Sequence, residues 1–297
     1  MNILIATNDA YIVPTKNMLF SLAQNNLCQL NVYLLYNQLS EKHISELKNH
    51  VAQKCHGTLY PILADVSLFS DAPLQKYWSI EMYFRLLACE LLPPDLERIL
   101  WLDGDIIVNR SIEEFYKQDL QGCLISACQG CNDSGILRLG LPFNHLYFNS
   151  GVILFDLQKC RSVFTLSSIL DTIGTYKEKL KAPDQDILNI LCQGQVKYAP
   201  SDIYNNECFG NHVFSPQKMK ILKSKACIIH FDGPMKPWNP KGVNWADKFW
   251  WKYAKSQGLL LQWLQYRIQN LPVKVKYAIR ELFYMAYAQL NKLKRIR

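Results

Sequence analysis

Apolar residues along the first third of the chain fall in short blocks whose period switches back and forth. Ile3–Thr7 is a continuous apolar block of strand length. Thr15–Asn25 instead spaces Met18, Leu19 and Leu22 along one helical stripe. Leu30–Tyr36 reads as a second strand, and Ser40 can cap a helix whose Ile44, Leu47 and Val51 lie three and four apart. Thr58–Leu63 is a third strand, Ser79–Leu92 a buried helix stopped by Pro93 and Pro94, and Arg98–Leu102 a strand closing on Asp103. The alternation predicts an α/β sandwich with a mainly parallel central sheet. Ligands of such sheets collect beyond the carboxyl ends of the strands, so residues that follow strands are the candidates for chemistry. No internal repeat and no low-complexity linker interrupts the pattern.

Composition supports a folded chain: 297 residues, 49% of them hydrophobic, with a mean hydropathy of −0.08. Met1–Thr7 is too short and lacks the basic start of a secretory leader, and no apolar run approaches the roughly 18 residues that span a bilayer. The expected location is therefore the cytoplasm, where ten scattered cysteines read as reduced thiols. Cys128-Gln129-Gly130-Cys131 has neither a second such pair nor trailing histidines, so it reads as ordinary packing thiols rather than a zinc site. Charge is unevenly placed. From Ala246 onward eleven basic residues face only Asp247 and Glu281, so the chain's +8 resides there and the body is near neutral. The predicted division is a catalytic domain over 1–245 and a basic, aromatic helical tail over 246–297.

The most informative stretch is Ile99-Leu100-Trp101-Leu102-Asp103-Gly104-Asp105-Ile106-Ile107-Val108. Two carboxylates flank a glycine between apolar segments, a strand–turn–strand expected at the sheet's edge. Burying unpaired charge there is costly, and a divalent cation removes the cost: Mg²⁺ or Mn²⁺ takes carboxylate oxygens and keeps positions open for a diphosphate. Gly104 lets backbone approach a ligand. A plain solvated turn is the alternative. Phosphatases of the haloacid-dehalogenase type also carry Asp-x-Asp after an apolar strand, but in the first strand and with Thr or Val where this chain has Ile107.

Further motifs, Ala6–Tyr11, Ser79–Leu86, Tyr147–Val152, Pro183–Asp186 and Ile229–Trp238, stand in order with the acidic pair over roughly residues 1–245, and together they resemble family 8 of the glycosyltransferases. Ala6-Thr7-Asn8-Asp9-Ala10-Tyr11 resembles the loop that holds uracil and ribose, with polar groups for the base edge and Tyr11 for stacking. Ser79-Ile80-Glu81-Met82-Tyr83-Phe84-Arg85-Leu86 resembles the helix before the acidic motif, and the resemblance places Ile80 and Arg85 at the donor site. Arg85, in an apolar setting, needs a carboxylate partner or the donor sugar. Tyr147-Phe148-Asn149-Ser150-Gly151-Val152 resembles a donor-sugar contact loop in which Asn149 offers a donor and an acceptor. Pro183-Asp184-Gln185-Asp186 opens a helix. Capping logic makes Asp184 its N-cap, whereas the resemblance turns Asp184 and Gln185 toward the donor sugar, Gln185 near the reacting carbon. Ile229-His230-Phe231-Asp232-Gly233-Pro234-Met235-Lys236-Pro237-Trp238 resembles the late signature, with His230 as third metal ligand beside Asp103 and Asp105, Gly233 for close approach and Lys236 for the diphosphate.

The resemblance implies a GT-A-type nucleotide-sugar-binding fold. It also implies a retaining, metal-dependent transferase that moves glucose or galactose from a UDP-sugar to a saccharide acceptor, a cell-envelope glycan or a glycolipid of lipopolysaccharide type. Mn²⁺ is the expected ion, with Mg²⁺ able to replace it. Gln185 is a poor nucleophile and Asp184 a conceivable one, so front-face departure and double displacement both stay open. A nucleotide-sugar-binding protein without turnover is the second reading; intact Asp103, Asp105, His230 and Lys236 speak against it. The tail lacks any nucleic-acid module. Its Trp250, Trp251, Trp263 and Tyr266, and the helical spacing of Leu259, Leu260 and Trp263 and of Ile279, Leu282, Phe283 and Ala286, favour an anionic membrane surface on the inner face of the cell membrane. Packing on the rest of the chain, or a seam between copies in a homo-oligomer, is the alternative.

Overall fold

The structure, a computed structural model, describes residues 1–74, 79–130, 134–208, 216–239 and 245–271. The strands are β1 (Asn2–Ala6), β2 (Leu30–Tyr36), β3 (Gly57–Leu63), β4 (Arg98–Leu102), β5 (Ile106–Val108), β6 (Ile125–Gln129), β7 (Phe148–Asp156), β8 (Val196–Ala199), β9 (Asn206–Glu207) and β10 (Ile228–His230). The helices are α1 (Ile12–Asn25), α2 (Glu41–Lys54), α3 (Ala88–Leu91), α4 (Glu113–Lys117), α5 (Ser134–Leu139), α6 (Leu157–Cys160), α7 (Leu166–Tyr176), α8 (Pro183–Leu191), α9 (Ser201–Tyr204), α10 (Pro216–Ser224) and α11 (Asp247–Ser256), with a further helix over 260–271.

Seven strands form one sheet in the order β3-β2-β1-β4-β7-β6-β8, parallel throughout except for β7, which runs against both β4 and β6. A second sheet, β5-β10-β9, starts where the chain leaves β4. This is the mixed α/β architecture that the alternating pattern predicts. Both faces of the large sheet are buried, which explains why β1, β2 and β4 read as unbroken apolar runs. Ser40 caps α2 by accepting the N–H of His43, and Ile44, Leu47 and Val51 are that helix's buried residues.

Two expectations are corrected. Ser79–Leu92 is not one α-helix: Ile80–Leu87 winds as a 3₁₀ helix before the single α-turn of α3. Five successive residues, Tyr83 to Leu87, are buried there, which no single α-helical stripe allows. The Asp-Gly-Asp turn does not lie at a sheet edge either. β4 stands between β1 and β7, so the turn caps the middle of the sheet. Strand order reverses between β1 and β4, and it is at such a switch point that an open α/β sheet leaves a crevice.

The chain divides into two compact units, Met1–Glu207 with Lys225–His230 and Cys208–Ser224 with Phe231–Arg297. In the second, α11 buries Phe249, Trp250, Trp251 and Tyr253. Trp251 lies against Tyr266 with tilted rings 5.2 Å apart and donates to the Pro237 carbonyl at 3.1 Å, while the Tyr266 hydroxyl donates to Asp247 at 2.9 Å. Trp250, Trp251 and Tyr266 are therefore packing residues rather than exposed interfacial anchors. Leu260, Leu261, Leu264, Ile268 and Leu271 are the exposed apolar residues of the 260–271 helix. Ile279, Leu282, Phe283 and Ala286 lie outside the described residues. Among the described residues no helix is long and apolar enough to cross a membrane.

One titrating group couples this core to pH. His50 on α2 donates Nε2–H to the Lys16 carbonyl at 2.9 Å, and burial, with the Lys16 ammonium nearby, lowers its pKa to about 4. The unfolded chain then binds the extra proton between its ordinary value near 6.5 and about 4, so stability present above that window is lost as pH falls through it. The expected loss is about 3 kcal/mol. His50→Gln keeps a donor and removes the titration, so its Tm should fall less than the parent's between pH 7 and pH 4.5. An equal fall in both proteins would refute the assignment.

Candidate functional site

The carboxyl end of β4 delivers Asp103, and the turn into β5 delivers Asp105 two residues later; β10 ends in His230, brought beside them because β10 pairs with β5. Asp103, Asp105 and His230 each present one ligand atom, all within 4.8 Å of one another. His230 Nε2 lies 3.3 Å from Asp105 Oδ1 and 3.9 Å from Asp103 Oδ2, and its ring is 2% exposed. The other Asp103 oxygen, Oδ1, accepts from Arg85 at 2.9 Å and from the Trp101 indole at 2.8 Å. That division turns Oδ2 toward the histidine. Two carboxylate oxygens and an imidazole nitrogen form a donor set suited to a borderline divalent ion such as Mn²⁺. The residues present fit a metal.

The floor of this cluster is glycine by necessity. A Cβ on Gly151 would stand 2.4 Å from His230 Cε1 and 3.0 Å from both Asp103 Oδ2 and Asn149 Oδ1. Gly104 faces a similar squeeze, 3.0 Å from Thr15 Oγ1 and 3.3 Å from the Tyr11 ring. The acidic turn thus lies directly against the loop after β1, at the switch point.

Arg85 joins the acidic turn to α8. Its guanidinium stacks on Trp101 at 4.4 Å, pairs with Asp103 at 2.9 Å and with Asp184 at 3.1 Å, and donates to the Ser150 and Met82 carbonyls. Of its two expected partners, the structure supplies the carboxylates. Asp184 is not an N-cap: Ala182 holds that position, Pro183 opens the helix, and Asp184 turns inward to accept from Ser150 Oγ at 3.0 Å. Burial raises its pKa, against the opposing pull of Arg85. Gln185 Oε1 accepts the Ser150 N–H at 3.0 Å, which fixes the side chain beside β7. The first turn of α8 is clamped from beneath. Asp186 accepts from Arg138, from the Tyr147 hydroxyl and from the N–H groups of Lys181 and Ala182, and Asn189 pairs both ways with the Phe148 backbone.

In the loop after β1, Thr7 shares a hydrogen bond with Thr15, and Asn8 Nδ2 reaches Ser79 and Glu81. Asn8 Oδ1 is buried and has no hydrogen-bond partner among the described residues. Ala6 ends β1, Tyr11 is half-buried against Gly104, and Ile80 opens the 3₁₀ helix. Asp9 points elsewhere, paired with His43 at 2.6 Å with its side chain 60% exposed. Asn149 Oδ1 accepts from the Gly151 N–H and from Asn205, so that oxygen serves the protein scaffold. Gly233 and Lys236 belong to the second unit, where Lys236 Nζ donates to the Phe231 carbonyl at 2.9 Å.

Sequence reasoning passed over Ser150, Asn189, Asn205, Arg138 and Asp186. One signal was available: Asp186 and Asn189 lie three apart among Ile187, Leu188 and Leu191, and polar groups on an apolar helical face must find partners. Cys131 lies outside the described residues; the cysteines that are described are free thiols, Cys128 among the buried ones.

Taken together, the mixed sheet and its helices make a fold of GT-A type, with an Asp-Asp-His cluster at the switch point. The sequence profile of glycosyl transferase family 8 matches residues 2–242, and the chain belongs to that family. It is 25% identical over 259 residues to a lipopolysaccharide 1,2-glucosyltransferase of Escherichia coli K12, covering 84% of this chain and 76% of that one. A lipopolysaccharide 1,3-galactosyltransferase of Salmonella typhimurium is 22% identical, covering 74% and 67%. Among solved structures, the galactosyltransferase LgtC in complex with donor and acceptor sugar analogs shares the fold with a TM-score of 0.74 and 24% identity, over 86% of this chain and 96% of that one.

The Gly151 squeeze makes a direct test. Gly151→Ala should displace the His230 ring and weaken Mn²⁺ binding, read from the free-ion paramagnetic resonance signal, by tenfold or more, with the far-ultraviolet circular dichroism kept. Unchanged affinity would show that the cluster is not built as described.

Proposed function

We propose that this family 8 glycosyltransferase moves glucose or galactose from a UDP-sugar to a saccharide acceptor, with retention at the anomeric carbon, and that Asp103, Asp105 and His230 hold the Mn²⁺ (or Mg²⁺) it needs. The observation that carries the reading is the convergence of those three ligand atoms at the carboxyl end of β4, against the loop after β1. The activities of the lipopolysaccharide glucosyl- and galactosyltransferase relatives support a hexose donor and an acceptor that is a cell-envelope glycan or a glycolipid of lipopolysaccharide type. A hexose of either configuration at C4 fits these data.

Each residue then has a task. Asn8, whose amide can accept from the imide N–H of uracil, is assigned the base edge, and Tyr11 offers a face for the base. Ala6 and Thr7 line the start of that loop, and Asp9 stays at its outer rim. Lys236 is assigned the diphosphate as a point charge, from its place in the late signature. A bound divalent ion would supply Lewis-acid stabilisation of the negative charge that grows on the diphosphate as the sugar departs. Asp184 is engaged by Arg85 and Ser150, and Gln185 is a neutral amide held by Ser150. Neither is a ready nucleophile for double displacement, which supports departure and attack on one face of the sugar, with Gln185 positioning the donor. Residues 1–245 are proposed as the catalytic domain. The basic tail from 246, with its exposed leucines on the 260–271 helix, is proposed to rest peripherally on an anionic membrane near a lipid-linked acceptor.

UDP release should be measured with UDP-glucose, UDP-galactose and UDP-N-acetylglucosamine, with and without Mn²⁺. The expected result is turnover with one of the first two, lost in EDTA and reduced at least a hundredfold in Asp105→Asn, and an α-linked product by NMR from an α-linked donor. Turnover in EDTA would remove the metal, a β-linked product would remove retention, and donor binding without any release would favour the binding-protein reading. For the tail, full-length protein should sediment with anionic vesicles at low salt and not at high salt. Changing Lys292, Lys294, Arg295 and Arg297 to Gln should abolish the sedimentation; if it does not, the tail is structural.

A further inference from the structure

A line of three buried polar groups runs behind the metal cluster, and its direction follows from one group that can only donate. The Gly151 backbone N–H donates to Asn149 Oδ1 at 2.8 Å. The Asn205 atom that meets the same oxygen at 2.8 Å must then be its amide nitrogen, Nδ2. That leaves Asn205 Oδ1 facing His230 Nδ1 at 3.0 Å, and an oxygen acceptor there requires the proton on Nδ1. In the neutral ring Nε2 is then bare, and Nε2 is the nitrogen beside Asp105 and Asp103.

The fold holds this line in place. Asn205 is 2% exposed and sits between α9 and β9, its N–H bonded to the Ser201 carbonyl at 3.2 Å. β9 pairs in parallel with β10, so the strand carrying His230 and the residue reading its ring are laid side by side. Asn149 and His230 are also buried, so water does not compete for the bonds.

We propose that Asn205 is a positioning residue that fixes His230 as the Nδ1–H tautomer, with Asn149 setting the orientation of the Asn205 amide, so that Nε2 is presented to the metal. The inference rests on the metal reading above. A ligating histidine commonly gives its second ring N–H to an outer acceptor, and losing that acceptor costs 10- to 100-fold in metal affinity.

Two near-isosteric replacements isolate the acceptor. Asn205→Asp and Asn205→Leu both lose the donor to Asn149, but only the aspartate can accept from His230 Nδ1. The tautomer is read in metal-free protein at pH 8 by long-range ¹H–¹⁵N correlation, the His230 signals being identified by their loss in His230→Gln. Mn²⁺ affinity is read from the free-ion resonance signal, with Asp103→Asn as the control for the metal site. The parent and Asn205→Asp should show the Nδ1–H pattern. Asn205→Leu should shift toward Nε2–H and bind Mn²⁺ about 10- to 100-fold more weakly than Asn205→Asp. If Asp103→Asn loses Mn²⁺ while both Asn205 variants bind like the parent, the inference falls and the metal reading stands. If the parent binds no Mn²⁺, both fall. Should Asn205→Leu fail to fold, the parent's tautomer decides: an Nε2–H ring overturns the proposal.

Discussion

Like charges brought together at the end of a buried strand set the terms for the rest of this molecule. Asp103 and Asp184 share one guanidinium, Arg85, and Asp103 and Asp105 both lie close to a buried imidazole, His230. Carboxylates so gathered are tolerated only when each oxygen has a defined partner or ligand, because desolvation is costly and mutual repulsion adds to it. The surroundings serve that requirement. Arg85 and Trp101 take one oxygen of Asp103, Ser150 and Arg85 take Asp184, and glycines at 104 and 151 remove the side chains that would otherwise hold the groups apart.

The sheet explains why these groups meet. β4 lies between β1 and the reversed β7, so the acidic turn faces the loop of β1 on one side and Gly151 on the other. β5 then leaves for a second sheet and collects β10 with His230 at its end. The three clustered side chains come from chain positions more than a hundred residues apart, yet each adjoins a strand: Asp103 follows β4, Asp105 precedes β5 and His230 ends β10. α8, clamped through Asp186 and Asn189, brings Asp184 to Arg85 and Gln185 to Ser150.

Much of this was legible from local pattern. Strands at 30–36 and 98–102 fall where the apolar blocks place them, and Asp103, Asp105 and His230 stand out because each follows or ends such a block. What was hidden depends on long-range pairing. Nothing near Asn205 in sequence announces that it will read the ring of His230, and Asn149 looks like a sugar ligand until Gly151 and Asn205 are seen to use its oxygen. Local rules also misled in specific ways. Capping preference favoured Asp184 at the helix start, but the pull of Arg85 turned it inward. Aromatic content in the tail favoured a membrane surface, but Trp250, Trp251 and Tyr266 pack within their own unit.

The central claim is that Asp103, Asp105 and His230 hold one divalent ion. Crystals grown with Mn²⁺ and UDP, measured at the manganese absorption edge, test it without reference to turnover. A single anomalous peak is expected within coordination distance of Asp103 Oδ2, an Asp105 carboxylate oxygen and His230 Nε2, in contact with the diphosphate. A bound UDP with no anomalous peak at these three atoms, or with the peak elsewhere, would contradict it.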